Sequence, residues 1–535
     1  MLLYYFFQVL LQVLLSGAVV GLYFLCHVNK PKAARHIVVL LVAINGPYLF
    51  YQIVNPLYNG RVFTALSYER SPVYGDRVRN WGDTSTCVPK QILLPTSEAE
   101  VQRIVQENSK VRVVGSGHSF SPLVCTDYTL LSLEKMNKIE TVGDDSVACQ
   151  AGATLKHLIT KLLFHTNSKK IIHGFGSIQD QSLAGAFSTS HHGLTFHSFA
   201  EDVLSIRAVL ANGTLIETSD LYYWRSHLGL LGVITAMTIK TYPNSMVRVT
   251  SEKITLEKAI QKLPRADAGI IETNFEQREK GLLKYITIIG EAEDVKYPIK
   301  SNSFFAALWD SVIMPSLVIF PSLSSFPLLD MSKEETVERP MLAAWTKFPE
   351  YGMMYSAYAI PFENCSKFVG LIDRQEHWVS TILIRYVEGQ NNTTCMTFAN
   401  QDSCVVDVYD LQNQDSLATF HLNLETLVNA LGGTSHWGKY YVSGMKKQVQ
   451  HIACYEAFKL QRELLDPQQK FVNEYNREIL DLAEQPKEGR FKTNPYEMKR
   501  TSFVMIGIAS FLTTSLYLLM GLFRPKNDYT ALTTE

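Results

Sequence analysis

The sequence predicts an α+β fold, and three observations carry that expectation. Short β-branched runs such as Val111–Val114 have the length and side chains of buried strands. Helix signals alternate with them: Ser97 reads as an N-cap, Glu98 and Glu100 occupy the first turn, and Val101, Ile104 and Val105 form the apolar stripe. Beyond Tyr242 the pattern changes, Ala268–Thr273 and Leu283–Ile289 being strand-like, which marks a second domain.

The chain has 535 residues, of which 46% are hydrophobic. That length holds about three or four domain-sized units. Formal net charge is −1, with Lys and Arg spread along the chain. No basic stripe or charge block stands out, which argues against nucleic acid as a partner. The eight cysteines are Cys26, Cys87, Cys125, Cys149, Cys365, Cys395, Cys404 and Cys454. None forms a Cys-x-x-Cys and their spacing fits no zinc site, so no metal is expected. They read as buried free thiols, with Cys395 and Cys404 the pair to consider in an oxidising lumen.

Leu2–Cys26 is apolar except for Gln8 and Gln12. It has about the 20 residues a bilayer-spanning helix needs, and no basic residue precedes it to suggest a cleavable signal. Lys30, Lys32 and Arg35 follow. A second apolar run, Ile37–Val54, is broken at Asn45-Gly46-Pro47 and reads as a kinked span or an interfacial hairpin. Residues 1–60 are therefore expected to be a membrane segment. The basic residues belong in the cytosol. With two spans the chain after Val54 faces the lumen or exterior; with one span it stays cytosolic.

The chain is organised around Val111–Asp127. The strand breaks at Gly115-Ser116-Gly117, where bare backbone can turn tightly and present successive N–H groups, a nest suited to pyrophosphate oxygens. His118 follows at the rim. This is not the dinucleotide fingerprint with a third glycine opening a helix, because Phe120-Ser121-Pro122 opens none. Val147–Thr154 reads as a strand ending in a glycine turn, before a helix containing Leu155–Leu163. Gly174–Gly193 reads as a loop dense in small residues and hydroxyls, permitting close backbone approach to a ligand. Val203–Val209 and Leu215–Glu217 flank Asn212-Gly213, the strongest short hairpin signal.

In the second half, Phe304–Leu328 is apolar in runs too short and too broken by proline for a membrane helix. Thr381–Tyr386 is a strand carrying Arg385. Gly432–Lys439 sets His436 and Lys439 three apart on one loop, where they can converge on one point. Pro486–Arg500 is a polar linker, Ser502–Phe523 an uncharged apolar run that reads as a C-terminal span, and the remainder a disordered tail. Asn212-Gly213-Thr214, Asn364-Cys365-Ser366, Asn391-Asn392-Thr393 and Asn392-Thr393-Thr394 are glycosylation sequons that matter only in a lumenal domain.

From about Asn80 to about Tyr475 the chain resembles the aldonolactone oxidases, the L-gulonolactone oxidase and D-arabinono-1,4-lactone oxidase group. The resemblance rests on Gly115-Ser116-Gly117-His118-Ser119, on Gly174–Gly193, on His227–Ile234 and on His436-Trp437-Gly438-Lys439. It implies a two-subdomain FAD-binding domain of the PCMH or vanillyl-alcohol-oxidase type over 78–245 and a second α+β substrate domain over 246–485. A linker over 486–501, a transmembrane helix over 502–523 and a tail over 524–535 complete the expected plan. By this resemblance His118 carries FAD covalently through the flavin 8α-methyl group. Gly115, Ser116, Gly117, Ser119, Ser177, Gly185, Ser190, His191, Gly193, Gly232 and Ile234 are implied to lie against it. Two departures stand out: Phe187 replaces the family's usual Gly or Ala, and Leu383 replaces the Glu of a Glu-x-Arg strand whose Arg385 is kept.

The reaction so implied is oxidation of a secondary alcohol on a sugar lactone. Its carbon hands a hydride to the flavin, and its O–H proton leaves to His436 or a water it holds. Arg385 and Lys439 stabilise the developing negative charge. Oxygen or another electron acceptor reoxidises the flavin. Membrane lipid is the other expected partner, and the expected location is the endoplasmic reticulum or another endomembrane, or a mitochondrial membrane. Leu383 motivates a rival, a flavin-binding protein that has lost lactone oxidation; the membrane spans motivate another, a flavin enzyme acting on a lipid or sterol.

Overall fold

The computed structural model describes residues 72–480 and Leu482, apart from 292–334, 341–352 and several shorter segments in that range. The expected spans Leu2–Cys26, Ile37–Val54 and Ser502–Phe523, the linker and tail, Cys26 and Phe304–Leu328 lie outside the described residues. No described helix is long and apolar enough to cross a membrane. The described residues all belong to one compact unit, Arg70–Glu535.

A three-stranded parallel sheet, β1 (Gln91–Leu93), β2 (Val111–Val114) and β3 (Thr129–Ser132), runs in the order β1-β3-β2. Helix α1 (Glu98–Glu107) connects its first two strands, with the Ser97 side chain accepting from the Glu100 amide as expected. A five-stranded antiparallel sheet follows, ordered β7-β6-β8-β5-β4. Its strands are β4 (Ile139–Val142), β5 (Ser146–Gln150), β6 (Val203–Val209), β7 (Leu215–Thr218) and β8 (Val233–Lys240). The Asn-Gly hairpin joins β6 to β7, pairing Val209 with Leu215. Helix α2 (Leu155–Phe164) packs with this layer. Gly174–Gly193 is not wholly loop: Leu183–Ser188 forms a short helix, α3, capped by the Ser182 side chain. Phe187 on α3 turns into the core, fully buried, so its bulk displaces core volume rather than ligand space.

The second half builds an eight-stranded sheet ordered β12-β9-β11-β10-β14-β15-β13-β16. The strands are β9 (Ser245–Thr255), β10 (Ala268–Thr273), β11 (Lys280–Glu291), β12 (Glu335–Pro340), β13 (Met353–Pro361), β14 (Val379–Val387), β15 (Ser403–Leu411) and β16 (Thr434–Ser435). Helices α4 (Leu256–Lys262), α5 (Cys365–Ile372) and α6 (Asp415–Ala430) bury one face of it. Ile382, Ile384, Tyr386, Val406 and Val408 face those helices. Because strand side chains alternate, Leu383, Arg385, Val405 and Asp407 face the other way.

The last described segment returns to the first domain. Tyr455 and Phe458 of α7 (Tyr455–Leu465), Phe471, and Tyr475 and Ile479 of α8 (Glu474–Ile479) share one core with Val101, Val111 and Leu158. The sheet and its helices have their own core, while 449–480 packs into the core of the first half. This closing segment is locked by Asp466, whose carboxylate accepts from the Lys470 and Phe471 amides at 2.7 and 2.9 Å.

The free-thiol expectation is corrected. Disulfides join Cys87 to Cys125, Cys365 to Cys404 and Cys395 to Cys454, with Cα separations of 5.6, 5.5 and 5.7 Å. Those separations suit a disulfide. Cys395 and Cys404 therefore do not pair with each other. Each partner lies on a separate element 38 to 59 residues away, which spacing alone cannot reveal. Among the described residues only Cys149 is free, and burial pushes its thiol up to about 12.

Candidate active site

Two loops from different domains meet directly. The Phe120 amide donates to the Gly438 carbonyl at 2.7 Å, and Ser121 Oγ donates to the Trp437 carbonyl at 3.0 Å. Tyr475 Oη donates to the same carbonyl at 2.8 Å, and Trp437 Nε1 anchors the loop on the Met396 carbonyl. Behind this seam lies a cavity with about 1240 Å³ of atom-free space, counting its open mouth. Gly115, Ser116, Gly117, His118, Ser119, Gly185, His191, Gly232, Ile234, Arg385, His436 and Lys439 all line it. Sequence-predicted residues from both domains are thus brought to one space.

The nest has the close packing that its glycines imply. Gly117 adopts φ +68°, which L side chains rarely do. A Cβ on Gly115 would sit 2.0 Å from Ser182 Oγ. Two expected residues, Ser190 and Gly193, do not line the cavity. Ser177 lies outside the described residues. Ser190 is buried at φ 56° and hydrogen-bonded through Oγ to Ser226. Ser190 instead ties its turn to a second strained one, where Ser226 and Leu228 also have positive φ. The Ser226 and Leu228 amides donate to the Phe187 and Ser188 carbonyls, both at 3.0 Å.

Four residues that sequence reasoning missed matter here. Arg112, on β2 just before the nest, is buried and donates to the carbonyls of Leu123, Leu228, Gly229 and Phe471. It clamps the nest strand, the Leu228 turn and the closing segment together, and burial lowers its pKa to about 9. His227, beside it, is buried and lowered to about 3. His192 lines the cavity and Asp407 holds Arg385 from behind. The available signals were a doubled histidine before Gly193 and a lone acid inside an apolar strand.

The imidazoles have defined hydrogen-bond roles. His191 Nε2 accepts from the Gly176 amide at 2.7 Å. His192 Nδ1 donates to the Ser190 carbonyl at 3.1 Å, which leaves Nε2 to accept from Arg385 Nη2 at 3.1 Å. His436 Nδ1 accepts from the Gly438 amide at 3.0 Å, so the neutral ring carries its proton on Nε2. Burial first, then the cations Lys439 and Arg385 and neighbouring imidazoles, hold His191 near 3 and His436 well below its usual range. His192 is held low by the same burial and by Arg385. Each lone pair is already engaged by an N–H donor. In this geometry the His436 ring is neutral, with Nδ1 engaged by the Gly438 amide and Nε2 carrying the proton as a donor. With Arg385 and Lys439 in the same wall, the cavity is built to receive negative charge.

Its nest and polar lining fit a dinucleotide cofactor with a phosphate end and a redox end, which defines the class: a flavoprotein with a separate substrate domain. Comparison agrees. The family model described as an FAD binding domain matches residues 89–219, and that described as D-arabinono-1,4-lactone oxidase matches 293–479. An L-gulono-1,4-lactone dehydrogenase of Mycobacterium tuberculosis is 24% identical over 77% of this chain and 99% of its own. An L-gulonolactone oxidase of Bos taurus is 26% identical over 75% and 97%. A D-arabinono-1,4-lactone oxidase of Candida albicans is 30% identical over 46% and 49%. A solved solvent-stable cholesterol oxidase, 16% identical, superposes with a TM-score of 0.58 over 76% of this chain and 98% of its own, which shows the shared fold. The chain thus carries an FAD binding domain followed by a domain like that of the aldonolactone oxidases, the two parts of an FAD-dependent aldonolactone oxidoreductase.

Proposed function

We propose that the protein oxidises a secondary alcohol of a sugar 1,4-lactone, using FAD tethered at His118. The observation that carries this reading is the single cavity lined by the Gly115–Ser119 nest on one side and by Arg385, His436 and Lys439 on the other. FAD, when bound, supplies the hydride acceptor. The nest amides hold its phosphates. Arg385 and Lys439 stabilise negative charge on the substrate oxygen, and His436 offers an N–H from Nε2. The alcohol proton leaves to a water in the cavity mouth, since the imidazole lone pairs are engaged. Oxygen is the acceptor we favour, with hydrogen peroxide as product.

Three disulfides support a domain that folds in an oxidising compartment. With two N-terminal spans and Lys30–Arg35 cytosolic, that compartment is the lumen of the endoplasmic reticulum or another endomembrane. The test is a panel of L-gulono-, L-galactono- and D-arabinono-lactones under oxygen, with peroxide measured and flavin linkage checked by acid precipitation. Turnover of one lactone with flavin retained in the pellet is expected. A flavin-loaded sample that turns over none overturns the substrate reading; complete release of flavin overturns the tether.

A further inference from the structure

We propose that Asp407 is the positioning residue of Arg385, holding its guanidinium from the neighbouring strand at the angle that meets the substrate. The inference deepens the function proposed above and rests on it. Asp407 is fully buried and ion-paired with Arg385. On the paired strands β14 and β15, Leu383 stands opposite Asp407 and Arg385 opposite Val405. Residues directly opposite share a face, and so do residues two apart on one strand. Leu383, Arg385 and Asp407 therefore stand on one face, with Arg385 and Asp407 as diagonal neighbours about 7–8 Å apart at the backbone. An arginine spans that distance. Leu383 offers no acceptor, so the carboxylate opposite it does the holding.

The pair has a direction. Arg385 lines the cavity and Asp407 does not. Arg385 Nη2 meets both Asp407 and His192 Nε2, the latter at 3.1 Å. Two fixed acceptors on one nitrogen set the plane of the guanidinium. His192 is in turn fixed by the Ser190 carbonyl. Removing the Asp407 charge leaves the Arg385 cation present with one of these two acceptors weakened, so the loss falls on geometry at the substrate. The register also makes the carboxylate transferable: a glutamate at 383 rises from the same face within reach of the same guanidinium.

The test uses the full-length, flavin-loaded protein and three variants: Asp407→Asn, Asp407→Asn with Leu383→Glu, and the swap Leu383→Glu with Asp407→Leu. One readout is kcat/KM for the lactone turned over. The other is the affinity of the bound flavin for sulfite, read by bleaching of the visible band, which depends on a well-placed cation near the ring. Asp407→Asn should lower kcat/KM by about 10²-fold, the scale of a misplaced group, and weaken sulfite binding. Leu383→Glu should restore most of both, which a purely structural role would not produce. An Asp407→Asn protein equal to the parent in both readouts overturns the proposal. If Asp407→Asn does not fold, the swap decides: activity and sulfite binding support the proposal, and a folded, flavin-loaded swap lacking both overturns it. If the parent turns over no lactone, the substrate reading fails while the sulfite series still tests the pair.

Discussion

The Phe120 amide bonds to the Gly438 carbonyl at 2.7 Å, two residues from His118 on one side and one from Lys439 on the other. The His118 end and the Lys439 end of the cavity are therefore parts of one bonded backbone unit rather than two independently placed loops. Ser121 and Tyr475 add donors to the adjoining Trp437 carbonyl. Sites held by rigid, bonded supports keep catalytic groups within the tolerance chemistry needs.

Gly115→Ala tests the nest. The new Cβ would lie 2.0 Å from Ser182 Oγ and 3.2 Å from its Cβ, so Ser182 must move. Ser182 caps α3 through the Gly185 amide at 3.3 Å, and a lost cap costs about 1 kcal/mol. The expected result is a folded protein with severalfold less flavin per chain, measured from the visible to 280 nm absorbance ratio. Ser182→Ala in the same background should recover part of the flavin. Undiminished flavin in Gly115→Ala would show that nothing approaches the backbone there.

His436→Gln separates a base from a donor. Loss of a general base costs about 10²–10⁴ in rate. If Nδ1 is already engaged by Gly438, glutamine keeps one acceptor and one donor and the loss in kcat should stay below about tenfold. Steady-state rates across pH 5.5–8.5 should also show no inflection assignable to this ring, because burial holds it neutral throughout. A loss above 10²-fold, with an acid-side limb abolished in the variant, would return the base role to the imidazole.

Much of this was legible beforehand. The strand Val111–Val114 and the Asn-Gly hairpin appear where turn chemistry and β-branching put them, because both are local signals. The nest and the His436–Lys439 loop were visible for the same reason. What the sequence hid is non-local. Asp407 acquires meaning only through the register of β15 on β14, and Arg112 only because loops more than a hundred residues away present carbonyls to it. The disulfides were hidden likewise, since pairing depends on which elements the sheet brings together. Short-range spacing also suggested a base at His436, while the Gly438 amide that engages its Nδ1 is a feature of the folded loop that spacing does not show.

The buried imidazoles make stability pH-dependent. His191 and His227 are each held near 3 by burial, against about 6.5 in an unfolded chain. Between those values the unfolded state binds more protons than the folded one, so stability rises with pH and is lost as pH falls below about 6.5. Each such group gives a slope of at most about 1.4 kcal/mol per pH unit. Urea midpoints should therefore fall steeply from pH 7 to pH 5. Double replacement of His191 and His227 by Gln should flatten the curve; an unchanged slope would place its origin elsewhere.

Two chemistries test the compartment. The disulfides close loops of 38, 39 and 59 residues, and each bond of this kind contributes about 2–4 kcal/mol. If the domain depends on them it folds where thiols oxidise, the lumen in which two N-terminal spans would place it. The same lumen would expose the sequon residues Asn212, at the tip of the β6–β7 hairpin, and Asn392, both exposed. Expressed through a eukaryotic secretory pathway, the protein should shift in gel mobility on glycosidase treatment, with Asn212→Gln and Asn392→Gln each removing one step. Under denaturing, non-reducing conditions a maleimide should label Cys149 among the described cysteines and spare the six paired ones. Full labelling of all of them with no glycan shift would put the domain in the cytosol behind a single span.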